Sequence, residues 1–360
     1  MNYNAKIRET LNKYLFLEVK SEKLLEYLKI HNNKNEYEDT LLLPINSGNI
    51  VENKSIYDYI PVSYFVEGMF YVLGADNSFR YKNIYISLLS SSENSIRYIK
   101  SKIAEEYKKG KLEEAFIYLR GLLLVSKEED IFLQALRVGE AIREKNQYFK
   151  EPQLQLIEEY KEDFSSSYPY LVEGLIAYNE GDLQLANVKL HNYLAQGGET
   201  SEGLNEILEA IEEALDYRKA LDIMAKKPEE SLKILLKKAE NETSASLLYY
   251  ISVAYRNLKL HEKAIYYLKE AYALDNSYID VINELGLNYA ALGDYSTAII
   301  YFRKAFEATR SIEICCNLAL SYYYLEDIES AKKHIKLGEL IDNNDEILKD
   351  IKELVFKKDK

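Results

Sequence analysis

Ala264, Ala298 and Ala331 are separated by 34 and then 33 residues, and the side chains around each alanine recur with it. In the middle copy Ile282-Asn283-Glu284-Leu285-Gly286-Leu287-Asn288-Tyr289 is followed by Gly293-Asp294-Tyr295, then Ala298, Phe302 and Ala305. The preceding copy places Leu248, Ile251, Ser252, Tyr255, Ala264, Leu268 and Ala271 in the same order. The following one places Cys315, Leu318, Ala319, Tyr322, Ala331, Ile335 and Gly338. A period of this length restricts the fold severely, because each copy is one supersecondary unit that buries its apolar face only against its neighbours.

Within each copy the apolar residues fall at helical spacing, so each reads as two antiparallel helices joined by a tight turn. Gly286 keeps the helix crossing small, as Ser252 and Ala319 do in the other copies, and Ala264, Ala298 and Ala331 do the same from the partner helix. A bulky side chain at Ala298 is expected to overpack the contact by roughly 1–3 kcal/mol. Gly293-Asp294 supplies the turn, glycine for a left-handed backbone and aspartate to cap the next helix.

The pattern resembles the tetratricopeptide repeat, a 34-residue helix pair marked by an aromatic residue, Leu-Gly, Tyr, Ala and Phe. Two departures stand out. Leu248, Ile282 or Cys315 replaces the first aromatic, and Asn276, Arg310 and Asn343 stand where a proline closes each unit. Both keep what the fold needs, since apolar bulk is retained and proline serves only as a helix stop. The resemblance implies an all-α, right-handed solenoid of stacked helix pairs with a C-terminal capping helix.

Composition agrees. Five prolines and fourteen glycines in 360 residues suit a chain that is nearly all helix. No charged-then-apolar leader and no apolar run near 18 residues is present, so a cytoplasmic protein that neither spans nor binds a membrane is expected. Cys315-Cys316 has no third cysteine to pair with, which fits a reducing compartment. A net charge of −13 opposes a nucleic-acid backbone as ligand. The 33 tyrosines, with no tryptophan, are expected to pack helix pairs with their hydroxyls at the rim.

In chain order, residues 1–31 read as two helices, one carrying Ile7, Leu11, Tyr14, Leu15 and Glu18, the other Leu24, Leu25 and Leu28 after Ser21. The pattern fails between about 32 and 60; His31 to Asn35 reads as a loop, and Leu41-Leu42-Leu43-Pro44 as part of a segment lying over the end of the repeats. Pro61 opens a helix whose Tyr64-Phe65-Val66-Glu67-Gly68 is echoed at Tyr170-Leu171-Val172-Glu173-Gly174. Both read as first helices of degenerate repeats, with turns at Gly74-Ala75-Asp76 and Gly181-Asp182. Further pairs are expected over Ile99–Leu119, Ile131–Phe164 and Tyr170–Leu194, before a break at Gly197-Gly198. A helix with an apolar stripe (Leu204, Ile207, Leu208, Ile211, Leu215) and an acidic one (Glu202, Glu206, Glu209, Glu213, Asp216) follows, then a pair around Leu221 and Leu232 with Pro228 at a helix start. From Asn344 a terminal helix sets Ile347, Ile351, Leu354 and Val355 on one side. The expected divisions are an N-terminal helical region (1–95), degenerate repeats (96–198), an acidic helix and linking pair (199–243), three repeats (244–343) and a cap (344–360).

Catalytic patterns are missing. His31, His191, His261 and His334 are scattered, without metal-ligand spacing. No phosphate-binding glycine loop, dinucleotide fingerprint or nucleophile elbow occurs. Carboxylate pairs such as Glu105-Glu106 and Glu212-Glu213 read as solvated helix surface, and Cys315 as a small buried hydrophobe rather than a redox centre. No enzyme, metal or cofactor is expected.

The resemblance implies a concave groove lined by the first helices. By position its side chains are Tyr249, Val253, Arg256 and Asn257 from one repeat. The next contributes Asp280, Asn283, Leu287 and Ala290, and the last Glu313, Cys316, Leu320, Tyr323 and Tyr324. Relatives that clamp a C-terminal carboxylate use lysines where this chain has Tyr249 and Glu313, so that ligand is disfavoured. Tyrosines, asparagines and acids suit a peptide with apolar anchors and some positive charge. The leading expectation is a non-enzymatic scaffold that binds a protein or peptide partner, with a homo-oligomer left open. The alternative is a peptide-sensing regulator of the pheromone-receptor type, acting on DNA or a signalling protein. Its DNA form is opposed by residues 1–95, which hold ten Lys/Arg against twelve Asp/Glu and no basic recognition helix. A third reading places an enzyme site in that same region.

Overall fold

A computed structural model describes residues 3–28, 39–52 and 60–357. It divides into two compact units, residues 1–208 and 209–360. Among the described residues everything regular is helical except one two-stranded sheet.

Unit 1 starts with α1 (Tyr3–Glu9), a 3₁₀ turn, β1 (Tyr14–Lys20), α2 (Ser21–Leu28), β2 (Thr40–Asn46) and α3 (Ser47–Glu52). The strands are antiparallel, from Tyr14 opposite Asn46 to Lys20 opposite Thr40. The expected first helix therefore ends at Glu9, and Tyr14, Leu15 and Glu18 belong to a strand. Leu41-Leu42-Leu43-Pro44 forms its partner, where Pro44 is tolerated because a two-stranded sheet consists of edges. The expected loop at His31 to Asn35 lies outside the described residues.

Next come α4 (Val62–Ala75), α5 (Lys82–Ser90), α6 (Glu93–Lys108), α7 (Leu112–Val125), α8 (Glu129–Arg143), α9 (Lys150–Tyr160), α10 (Tyr168–Asn179) and α11 (Leu183–Ala195). Helices α4 and α7 are the centre of this unit. Residues 65–75 and 115–123 are buried without interruption, as expected of helices enclosed on all sides. They cross backbone to backbone. A Cβ on Gly74 would lie 1.8 Å from the Ile117 carbonyl oxygen, and one on Gly121 would lie 2.0 Å from that of Phe70. Gly74 and Ala75 are thus helical crossing residues, not the expected turn, and α4 packs chiefly on α7 rather than on α5. Strand β2 rests on α4 at Gly68, where a Cβ would meet the Pro44 carbonyl oxygen at 2.0 Å.

Helix α12 (Glu202–Ile223) is continuous and carries both the acidic stripe and Leu221. Unit 2 continues with α13 (Pro228–Ala239) and the pairs α14 (Ala245–Asn257) with α15 (His261–Leu274), α16 (Ile279–Ala291) with α17 (Tyr295–Thr309), and α18 (Ile312–Tyr324) with α19 (Ile328–Ile341). It closes on α20 (Glu346–Lys357), whose Leu348, Ile351 and Val355 are buried while Ile347 and Leu354 are exposed. The pairs stack in sequence, α15 on α16 and α17 on α18, as an all-α repeat solenoid. Ala264, Ala298 and Ala331 are fully buried, and a Cβ on Gly286 would lie 2.5 Å from the Phe302 ring.

One turn joins the helices of every pair. Lys259, Gly293 and Glu326 have φ of 63°, 81° and 60°. The following amide donates to the carbonyl five residues back, Leu260 to Tyr255, Asp294 to Tyr289 and Asp327 to Tyr322, each at 3.0 Å. This left-handed closure satisfies carbonyls that a helix end otherwise leaves open. Asp294 and Asp327 then cap the next helix, accepting from the amides of Thr297 (3.1 Å) and Ser330 (3.0 Å). Unit 1 repeats the motif at Gly110 and Gly181, with Lys111 bonded to Glu106 and Asp182 to Ala177. The shortened second period has a local cause: α17 ends on left-handed Arg310 (φ 53°), and Ser311 begins the next helix directly.

Candidate functional site

Helices α14, α16 and α18 carry the expected groove residues. Tyr249 is half-buried, its ring 5.2 Å from that of Tyr250 and 5.6 Å from that of Tyr278. Burial, with Glu284 and Asp280 nearby, pushes its phenol up to about 12, so it is a neutral hydrogen-bonding group at any ordinary pH. Asp280 and Glu313 are exposed; Val253, Leu287, Ala290 and Leu320 are half-buried. Tyr324 is half exposed and stacks on Tyr295 at 4.9 Å, while half-buried Tyr323 meets Tyr324 edge-on at 5.5 Å.

Three of the expected groove residues have structural duties. Arg256 is ion-paired to Glu284 of the next repeat, whose side chain is only 5% exposed. The Asn257 amide donates to the Met224 carbonyl at 3.2 Å, just beyond the end of α12. Cys316 is buried among Ala319, Ala331, Leu348 and Ile351, with its sulfur 3.9 Å from Asp345 Oδ1. Helix α20 covers that face of α18. Burial pushes the Cys315 and Cys316 thiols up to about 11 and about 12, which favours their protonated form.

Sequence reasoning missed the polar strut behind this wall. Buried Asn288 donates to the Glu284 carbonyl (2.8 Å) and carboxylate (3.2 Å), and its side-chain oxygen lies 3.0 Å from His261 Nδ1. Arg256, Glu284, Asn288 and His261 so tie α14, α15 and α16 together. Asn317 was also missed; the second period is 33 residues, so it stands at the place of Glu284, and Cys316 at that of Asn283. The Asn283 Oδ1 and the Asn317 Nδ2 are both buried without a hydrogen-bond partner. Buried polar atoms of this kind are uncommon in native proteins, and these two lie one position out of register on the first helices of adjacent repeats.

Among the described residues no cluster of His, Cys, Asp or Glu is arranged to hold a metal, and no helix is long and apolar enough to cross a membrane.

Comparison with known proteins places these observations. The tetratricopeptide repeat family model matches residues 279–311 and 312–345. No curated protein sequence matches the chain significantly. Among solved structures, MamA is 21% identical over 48% of this chain and 90% of its own, with a TM-score of 0.36. YrrB, described as a TPR protein with an unusual peptide-binding site, is 17% identical over 56% of this chain and 97% of its own, with a TM-score of 0.38. The family model thus identifies α16 to α19 as two tetratricopeptide repeats, and the same small-residue pattern in α14 and α15 marks a third.

Proposed function

We propose that this protein is a non-enzymatic interaction scaffold, whose first helices α14, α16 and α18 hold an extended segment of a partner protein. The carrying observation is that polar side chains recur at two repeat positions of these helices, half-buried Tyr249 with Asn283 and exposed Asp280 with Glu313. An extended peptide presents backbone N–H and C=O groups in alternation, and the Asn283 amide carries both a donor and an acceptor to match. Tyr249 stands at the Asn283 position one repeat upstream and adds a neutral hydroxyl with an aromatic wall. Exposed Asp280 and Glu313 favour basic residues in the segment, while the half-buried Leu287 and Leu320 give its apolar side chains a surface.

Binding to partners captured from native lysate, mapped to a peptide and then measured with that synthetic peptide, tests the reading. Replacing Tyr249, Asn283 and Tyr323 together by alanine is expected to abolish capture while the helical circular-dichroism signal persists. Undiminished capture by this triple variant overturns it.

A further inference from the structure

A cavity of about 140 Å³ lies wholly within unit 1, where the start of β1 and the end of β2 meet α4, α6 and α7. Its lining is unlike that of a helical core. It brings together the phenols of Tyr14, Tyr71 and Tyr118, the carboxylates of Glu67, Glu106 and Glu114, and the ammonium groups of Lys13, Lys102 and Lys111. Three acids face three bases, so the site as a whole is electrically balanced.

Four of these six charges are already committed. Lys102 lies 3.1 Å from Glu106 and 3.8 Å from Glu67, both buried, and Lys111 lies 3.7 Å from Glu106. The remaining two, Glu114 on α7 and Lys13 just before β1, have no ion-pair partner among the described residues. One is an anion and the other a cation. Glu114 is half-buried and Lys13 exposed, so the anion sits deeper than the cation.

We propose that this cavity binds a small zwitterion of the size of a free α-amino acid, with its ammonium on Glu114 and its carboxylate on Lys13. The volume supports that class. It is roughly ten times the minimum that holds one water, yet well below the few hundred Å³ of sites for nucleotides or drug-sized ligands. The tyrosines supply hydroxyl groups for the ligand's remaining polar atoms and ring faces that favour an ammonium over a neutral amine. A lone cation would leave Lys13 uncompensated, and a lone anion would leave Glu114 so; a zwitterion satisfies both. This site is independent of the proposed peptide groove.

The test is calorimetric titration and thermal unfolding of the full chain with each of the common free amino acids at millimolar concentration. Ethylammonium and acetate, carrying one charge each, serve as controls. At least one amino acid is expected to raise the melting temperature and to bind tenfold or more tightly than either control. Glu114→Gln and Lys13→Met are each expected to weaken that binding at least tenfold while leaving helicity unchanged. Failure of every amino acid to bind, controls that bind as well, or full affinity in both variants overturns the proposal.

Discussion

Helices α4 and α7 in unit 1 and helices α16 and α17 in unit 2 answer the same need, close approach of two helices, by different means. In the first pair glycines admit a neighbour's backbone, Gly74 against the Ile117 carbonyl and Gly121 against that of Phe70. In the second, Gly286 admits a side chain, the ring of Phe302. A ring moves by rotating; a hydrogen-bonded carbonyl inside a buried helix moves only with its helix. The repeat interface is therefore the more forgiving, which suits a fold that varies its surface from copy to copy. The α4–α7 crossing fixes its two residues outright.

The sharpest way to break this contrast is Gly121→Ala. We expect a loss of at least about 3 kcal/mol, the top of the overpacking range, seen in denaturant unfolding as early exposure of unit 1 with unit 2 amides still protected from hydrogen exchange. Alkali should separate the units in the same direction. Burial pushes Tyr71 and Tyr160 up to about 12, and Tyr14, Tyr85 and Tyr118 further, whereas in unit 2 Tyr249 reaches about 12. An unfolded phenol ionises near 10, so above that pH the unfolded chain binds fewer protons than the native one. The stability contributed by these neutral phenols is complete below about pH 10 and declines as pH rises through about 12. Tyrosinate absorbance, read beside proteolysis of each unit, should show unit 1 opening first.

Gly286→Ala should cost less than Gly121→Ala, about 1–2 kcal/mol, and Phe302→Leu should relieve part of it by clearing the ring. Equal costs at Gly286 and Gly121 would remove the distinction. The smallest effect is a gain. Lys259 holds a left-handed backbone that costs an L-residue roughly 1–2 kcal/mol, so Lys259→Gly should stabilise unit 2 by up to about 1 kcal/mol after glycine's entropy is counted. Thermal unfolding would measure it.

These differences also mark what the sequence could disclose. The three repeat pairs were legible because their small residues recur at a period that only stacked helices satisfy. The strand β1 was not. Leu11, Tyr14, Leu15 and Glu18 have helical spacing, yet a run that short is equally compatible with a strand, and its partner lies 20 to 32 residues away across the sheet. The echo between Gly68 and Gly174 misled for a similar reason. A glycine's value lies in what approaches it, which is Pro44 of a strand in one case and Leu190 of a partner helix in the other. At the groove, positions were readable but obligations were not, since Arg256 is held by Glu284, 28 residues on, and Asn257 by Met224, 33 residues back.

The left-handed turn has a consequence for how such a chain grows. Because Lys259, Gly293 and Glu326 close their helices with the same backbone bond, the joint forms with lysine, glycine or glutamate there. Residues 260–293 thus form a cassette whose two ends are interchangeable. A gene that duplicates this block keeps the same closure at both seams, and lengthens the recognition wall by one rung without new engineering at the splice.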